Sequence, residues 1–197
     1  MHLLSSSTEA PTPAQLHVEV AITLWQPWAT LIALGLKRLE TRSWSTSFRG
    51  RIAIHASKRS TQAERMLCTQ DDYIREALAT AGLSYDDLPR GAVVALSTIA
   101  GVAQMQEGPT SWQGDVLNLR DTSQLTAQER AFGLYDHGRY AWQLTETLAL
   151  PKPQPCRGSQ QIWKLPDVVK LEIETCFLPT VTPDSLFLPP LQLDLMA

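Results

Sequence analysis

The sequence predicts an α+β domain: a small β-barrel of about five to six strands with helices covering its ends. Three observations carry this. Short stretches of alternating apolar and polar residues recur between Leu16 and Leu165, the period of half-buried strands. Segments of helical length stand between them, at Trp28–Leu34 and Thr61–Thr80. With 197 residues and a hydrophobic fraction of 44%, the chain has room for one ordinary core and little for a second.

Taken in order, residues 1–15 are rich in Ser, Thr and Pro and are expected to be poorly ordered. Val18, Val20, Ile22 and Leu24 alternate with polar or small neighbours and predict a strand from Leu16 to Trp25. Pro27 then opens a helix, where its missing N–H costs nothing. That helix, Trp28 to Leu34, is apolar nearly all round and is expected to be buried. Gly35 ends it, being free to adopt a positive φ past the last turn. Lys37 therefore falls in the turn that leads to the next strand.

Leu39 to Trp44 is that strand. Its period places Arg38, Glu40, Arg42 and Trp44 on one face and Leu39 and Thr41 on the other. In the following strand, Arg51 to His55, Ile52 and Ile54 point one way and Arg51, Ala53 and His55 the other. The two strands could gather Glu40, Arg42, Arg51 and His55 on neighbouring surfaces. Thr61 to Thr80 reads as a covering helix closed by Gly82, and Gly91 to Val102 as a central strand. Residues 104–120 read as loop with short helix, Thr126 to Ala131 as a helical turn or two, and Arg139 to Leu148 as a strand. Pro151, Pro153 and Pro155 impose an extended connection, and Gln161 to Leu165 closes the barrel. After Pro166, alternating Val169, Leu171 and Ile173 read either as an added strand with a loose end or as a segment that binds a protein partner. The expected organisation is thus a disordered segment at 1–15, one domain at 16–166 and a C-terminal extension at 167–197.

Composition narrows the function. No apolar run approaches ~20 residues, so no membrane span is expected. The N-terminus lacks the basic start and longer apolar stretch of a secretory signal, and a cytoplasmic location is the default. Cys68, Cys156 and Cys176 are odd in number and far apart, as structural thiols are, and neither they nor the histidines show metal-ligand spacing. No dinucleotide or phosphate-loop fingerprint is present, so neither a metal nor a cofactor is expected. A net charge of −3 argues against indiscriminate coating of nucleic acid. Yet Lys37, Arg38, Arg42, Arg49, Arg51, Lys58 and Arg59 lie within one short stretch holding a single acid, Glu40. A local basic surface on an acidic protein suits a confined anionic ligand better than a long phosphate track.

The blocks Trp25-Gln26-Pro27-Trp28-Ala29, Gly35-x-Lys37-x-x-Glu40-x-Arg42-x-Trp44 and Arg49-Gly50-Arg51-x-x-Ile54-His55-Ala56 resemble the ASCH domain family. Phe132-Gly133, Gly138-Arg139-Tyr140-Ala141-Trp142 and Gly158 through Ile162-Trp163-Lys164-Leu165 fit the same pattern. That family belongs to the PUA-like superfamily of small β-barrels, many of whose members handle RNA. The resemblance implies binding of RNA, a nucleotide or a modified nucleoside in a cleft lined by Lys37, Glu40 and Arg42. It also implies two alternatives. Some bacterial members remove an acyl group from a modified cytidine with a Lys, a Thr and a Glu; Lys37 matches the Lys, while Glu40 stands at the place of the Thr. A ribonuclease using Lys37 and Glu40 as an acid–base pair is a related hydrolase reading. The other alternative is an interaction module, since a eukaryotic transcription coactivator carries such a domain at its C-terminus.

Each side chain also has a purely structural reading. Lys37 could neutralise a phosphate or, desolvated, act as a base, or it could simply complement the helix dipole. Glu40 and Arg42, two apart on a strand, could pair with each other. Arg42 and Arg51 offer planar forks for a phosphate or a base edge. Trp25, with Gln26 beside it, and Trp28 could stack a base or pack in the core. His55 reads as a hydrogen-bonded structural residue or a site residue, and Arg139 with Tyr140 as a rim of the cleft.

Overall fold

A computed structural model describes residues 10–105 and 125–178. The described strands form one six-stranded sheet: β1 (Val20–Leu24), β2 (Leu39–Arg42), β3 (Gly50–Ala56), β4 (Ala92–Gln104), β5 (Tyr140–Pro155) and β6 (Ile162–Lys164), in the order β2-β5-β4-β3-β1-β6. β1 and β3 run parallel and all other neighbours antiparallel. A parallel neighbour requires a crossover. The chain makes it by leaving β1 through α2 (Trp28–Ala33), laying β2 on the far edge, and returning to β3.

The sheet curls into a half-barrel. Arg42, at the end of edge strand β2, donates from Nη2 to the carbonyl of Thr23 on β1 at 3.0 Å. These strands stand four places apart in the ladder, so only curvature brings them within reach. Alternation along the strands divides the core between the two faces. Ile22, Ile52, Ile54, Trp142 and Leu144 pack inside with Ala29 and Ile32 of α2. Ala21, Ala53, Val93 and Leu96 pack outside against Leu16, Leu165, Val169 and Ile173.

Several expectations change. Residues before Leu16 include a short helix, α1 (Pro13–Leu16), capped by Thr12 and Gln15 in a reciprocal pair. The strand begins at Val20 and not at Leu16 because this helix takes its start. The covering helix is two, α3 (Gln62–Gln70) and α4 (Asp72–Thr80), broken where the Asp71 side chain accepts from the Ile74 N–H at 3.0 Å. The three prolines at 151–155 are part of β5, whose end lies opposite the start of β4. The expected loop at 106–120 lies outside the described residues, and α5 (Ala127–Ala131) follows it.

The strand reading of the tail is overturned. Residues Asp167–Thr175 form helix α6, with Val169 and Ile173 buried one turn apart and Leu171 outside at 60% exposure. A residue spacing of two in the sequence concealed a spacing of four in the structure. Lys170 pairs with Glu19 and with Asp167 and ties the helix to the strand side. Ile173→Ala, at a fully buried position, is therefore expected to destabilise the fold by about 2–5 kcal/mol in urea denaturation. A loss below about 0.5 kcal/mol would mean that α6 is not part of the core.

Candidate functional site

α2 delivers Lys37 to the interior. Gly35, at φ +71°, turns the chain after the helix, and the N–H groups of Leu36 and Lys37 both close on the Leu31 carbonyl. The Lys37 side chain is 1% exposed. Its ammonium donates to the Leu39 carbonyl and stands 3.9 Å from Glu40 Oε2. Arg42 Nε approaches the other carboxylate oxygen of Glu40 at 3.0 Å. One acid thus lies between two cations. Burial pulls the Lys37 ammonium below its ordinary pKa, while Glu40 and Glu129 oppose that shift.

Glu129, on α5, is a member of this arrangement that sequence reading missed. Its carboxylate accepts from the backbone N–H groups of Arg38 at 2.9 Å and Leu39 at 3.1 Å, and from the Tyr135 hydroxyl at 3.0 Å. Burial and this neighbouring acid raise the Tyr135 phenol above its usual range. The sequence offered only Thr126-x-x-Glu129, the pattern of a helix cap. Thr126 does cap, through its hydroxyl to the Glu129 N–H at 3.0 Å. The carboxylate is released to hold the turn that carries Lys37.

Lys37, Glu40 and Arg42 open into one hollow of about 490 Å³, whose walls include Trp25, Trp28, Phe132 and Arg139. Arg139 is fixed from Nη2 to the Thr41 carbonyl at 3.2 Å and from Nε to the Leu134 carbonyl at 3.1 Å. Trp25 is 47% exposed and carries the Arg59 guanidinium over its ring at 3.7 Å. A second hollow, of about 1220 Å³, adjoins the first and shares Thr23, Trp25 and Arg42 with it.

His55 belongs to the second hollow. It is buried, its ring edge-on to Trp163, with Nε2 3.1 Å from the Cys156 carbonyl. A carbonyl only accepts, so Nε2 carries the proton and Nδ1 presents a lone pair with no partner among the described residues. Gly158 lies directly on the ring: a Cβ there would sit 2.4 Å from His55 Cε1 and 2.8 Å from Thr23 Oγ1. Only glycine fits that approach.

The remaining candidates stand apart. Gln26 is fully buried, with Nε2 donating to the Pro89 carbonyl at 2.7 Å and Oε1 accepting from the Thr30 N–H at 3.1 Å, and it lines neither hollow. Arg51 donates to the Glu146 carbonyl at 2.7 Å, away from both. Tyr140 pairs with Arg42 in the ladder and packs on the inner core. No group of three or more His, Cys, Asp or Glu side chains among the described residues could hold a metal ion. No helix among them is long and apolar enough to cross a membrane.

The family model for the ASCH domain matches residues 22–154. The chain belongs to the ASCH domain family. Its ASCH domain is similar to activating signal cointegrator 1 of Homo sapiens, at 38% identity over 52 residues, and equally to the Mus musculus protein. That alignment covers 26% of this chain and 9% of the human protein, so the chain spans under a tenth of these curated relatives. A crystal structure of an ASCH protein from Zymomonas mobilis is 18% identical, with a TM-score of 0.43 over 79% of this chain and 93% of that one.

Burial holds the folded His55 ring below its ordinary pKa. Between that value and about 6.5, the unfolded ring takes a proton that the folded ring refuses. Stability is thus full above about pH 6.5 and falls as the pH drops towards the folded value. His55→Gln, which can still donate to the Cys156 carbonyl, is expected to flatten this part of the profile in denaturant titrations. An unchanged acid limb would contradict the assignment.

Proposed function

We propose that this ASCH domain binds an RNA-derived base or nucleotide in the hollow beside Lys37. One observation carries the reading: Lys37, Glu40 and Arg42 converge on a single hollow that Trp25 and Trp28 also line. Its volume of about 490 Å³ falls in the range of small-ligand sites, which are mostly apolar with a few convergent polar groups. A nucleobase matches those groups. Its flat faces stack on tryptophan, its exocyclic amino group donates to a carboxylate such as Glu40, and its ring acceptors meet Lys37 or Arg42. Arg42 also reaches the mouth shared with the larger hollow, where a sugar–phosphate would leave.

A hydrolase acting on RNA or on an acylated cytidine is the second reading. It is favoured by the buried ammonium of Lys37 lying 3.9 Å from Glu40, an arrangement open to acid–base work. Thr41 also lines the hollow, but its hydroxyl oxygen already accepts from the Leu134 N–H at 3.1 Å. An interaction module is the third; Val168 and Leu171, 62% and 60% exposed on α6, would give a protein partner its apolar contact.

Lys37→Met keeps the buried stem and removes the charge. It is expected to weaken binding of ribonucleoside monophosphates in calorimetric titrations at least tenfold, the worth of about 1.5–3 kcal/mol for a hydrogen bond to a charged group. Unchanged affinity in a folded variant would overturn the reading. Incubation with acetylated cytidine and with labelled RNA separates binding from turnover: product that is lost in Lys37→Met and Glu40→Gln would assign those two residues to catalysis.

A further inference from the structure

The larger hollow is built differently from the one beside Lys37. Its lining holds Arg42, Lys58 and Arg157 and no carboxylate. Lys58 and Arg157 are exposed, and neither makes a hydrogen bond or ion pair among the described residues. The strap Gly158-Ser159-Gln160 forms another part of the wall, outside any helix or strand. Its backbone N–H groups donate to no described partner. The strap is nevertheless held in place, by the approach of Gly158 to His55 and Thr23. Unpaired cations beside free backbone donors, with no acid among them, make a surface for phosphate oxygens.

Size and continuity extend the argument. About 1220 Å³ exceeds the ~300–1,000 Å³ that one small ligand fills. The two hollows meet at Thr23, Trp25 and Arg42. A molecule seated beside Lys37 therefore has a continuous path past an aromatic face and a guanidinium into a basic trough.

We infer that the ligand is a single-stranded nucleic acid crossing this waist, one base beside Lys37 and the adjoining phosphodiesters in the trough against Lys58, Arg157 and the 158–160 strap. The inference rests on the nucleotide reading above and extends it from a nucleotide to a strand. The seated base is read by the smaller hollow; the trough reads only the backbone, so it adds affinity without sequence preference.

The test compares a ribonucleoside monophosphate with a mixed-sequence tetraribonucleotide and its deoxy counterpart, by calorimetry across a salt series. The tetranucleotide is expected to bind at least about tenfold more tightly than the mononucleotide. The double variant Lys58→Ala/Arg157→Ala is expected to remove that gain and to lower the salt slope by about 2, leaving mononucleotide affinity unchanged. Both positions are exposed, so the fold is retained. Equal affinity for mono- and tetranucleotide, or a double variant that weakens both alike, would overturn the strand. Failure of every probe to bind would overturn the nucleotide reading itself. Equal binding of the ribo and deoxy strands would assign the trough to phosphodiesters of either kind; a ribo preference would assign the 2′-hydroxyl to it as well.

Discussion

The carboxylate of Glu40 is the constraint on which the site depends. It lies 3.9 Å from a lysine ammonium that is almost wholly out of water and 3.0 Å from an arginine that ties two strands together. A buried ammonium without an acid would shed its proton or unfold its surroundings. An acid without the two cations would be an uncompensated charge beside the core. The three groups meet at the wall of one hollow, where a ligand can use them.

The fold supplies this position through the crossover between the parallel strands β1 and β3. Because α2 carries the chain from β1 across the inner core to the opposite edge, the turn after Gly35 falls just before β2 begins. Lys37 sits in that turn. The curl that brings β2 back to β1 then puts Arg42 against Thr23 and gives both hollows their common wall. Glu129 fixes the turn from outside, taking the N–H groups of Arg38 and Leu39 that an edge strand would otherwise leave to water. Sheet curvature, turn and charge cluster are consequences of the same path.

Local signals were legible in the sequence where they decide local structure. Gly35 announced the end of α2, the period of Leu39–Arg42 announced β2, and the motif frame grouped Lys37, Glu40 and Arg42, which line one hollow in the fold. What the sequence hid were relations across distance. Glu129 passed unnoticed in a helical turn or two, because nothing in its neighbourhood reveals the backbone that it serves, some ninety residues away. Arg51 read as a partner of Arg42, although β3 lies three strands from β2 and turns that side chain elsewhere. Val169 and Ile173 fit one helix face as well as the strand period that they share with Leu171, and only packing against Leu16 and Leu165 chose between them. Gln26 looked like part of an aromatic wall, but its amide is consumed by the start of α2.

A double-mutant cycle between Lys37 and Glu40 tests the central relation most directly, using Lys37→Met, Glu40→Gln and the pair, each followed by urea denaturation. Groups that compensate each other's buried charge are expected to show a coupling of about 1–3 kcal/mol, with each single variant costing more than its share of the double. Additivity to within about 0.5 kcal/mol would mean that the ammonium and the carboxylate do not hold each other in place, and the shared site would lose its physical basis.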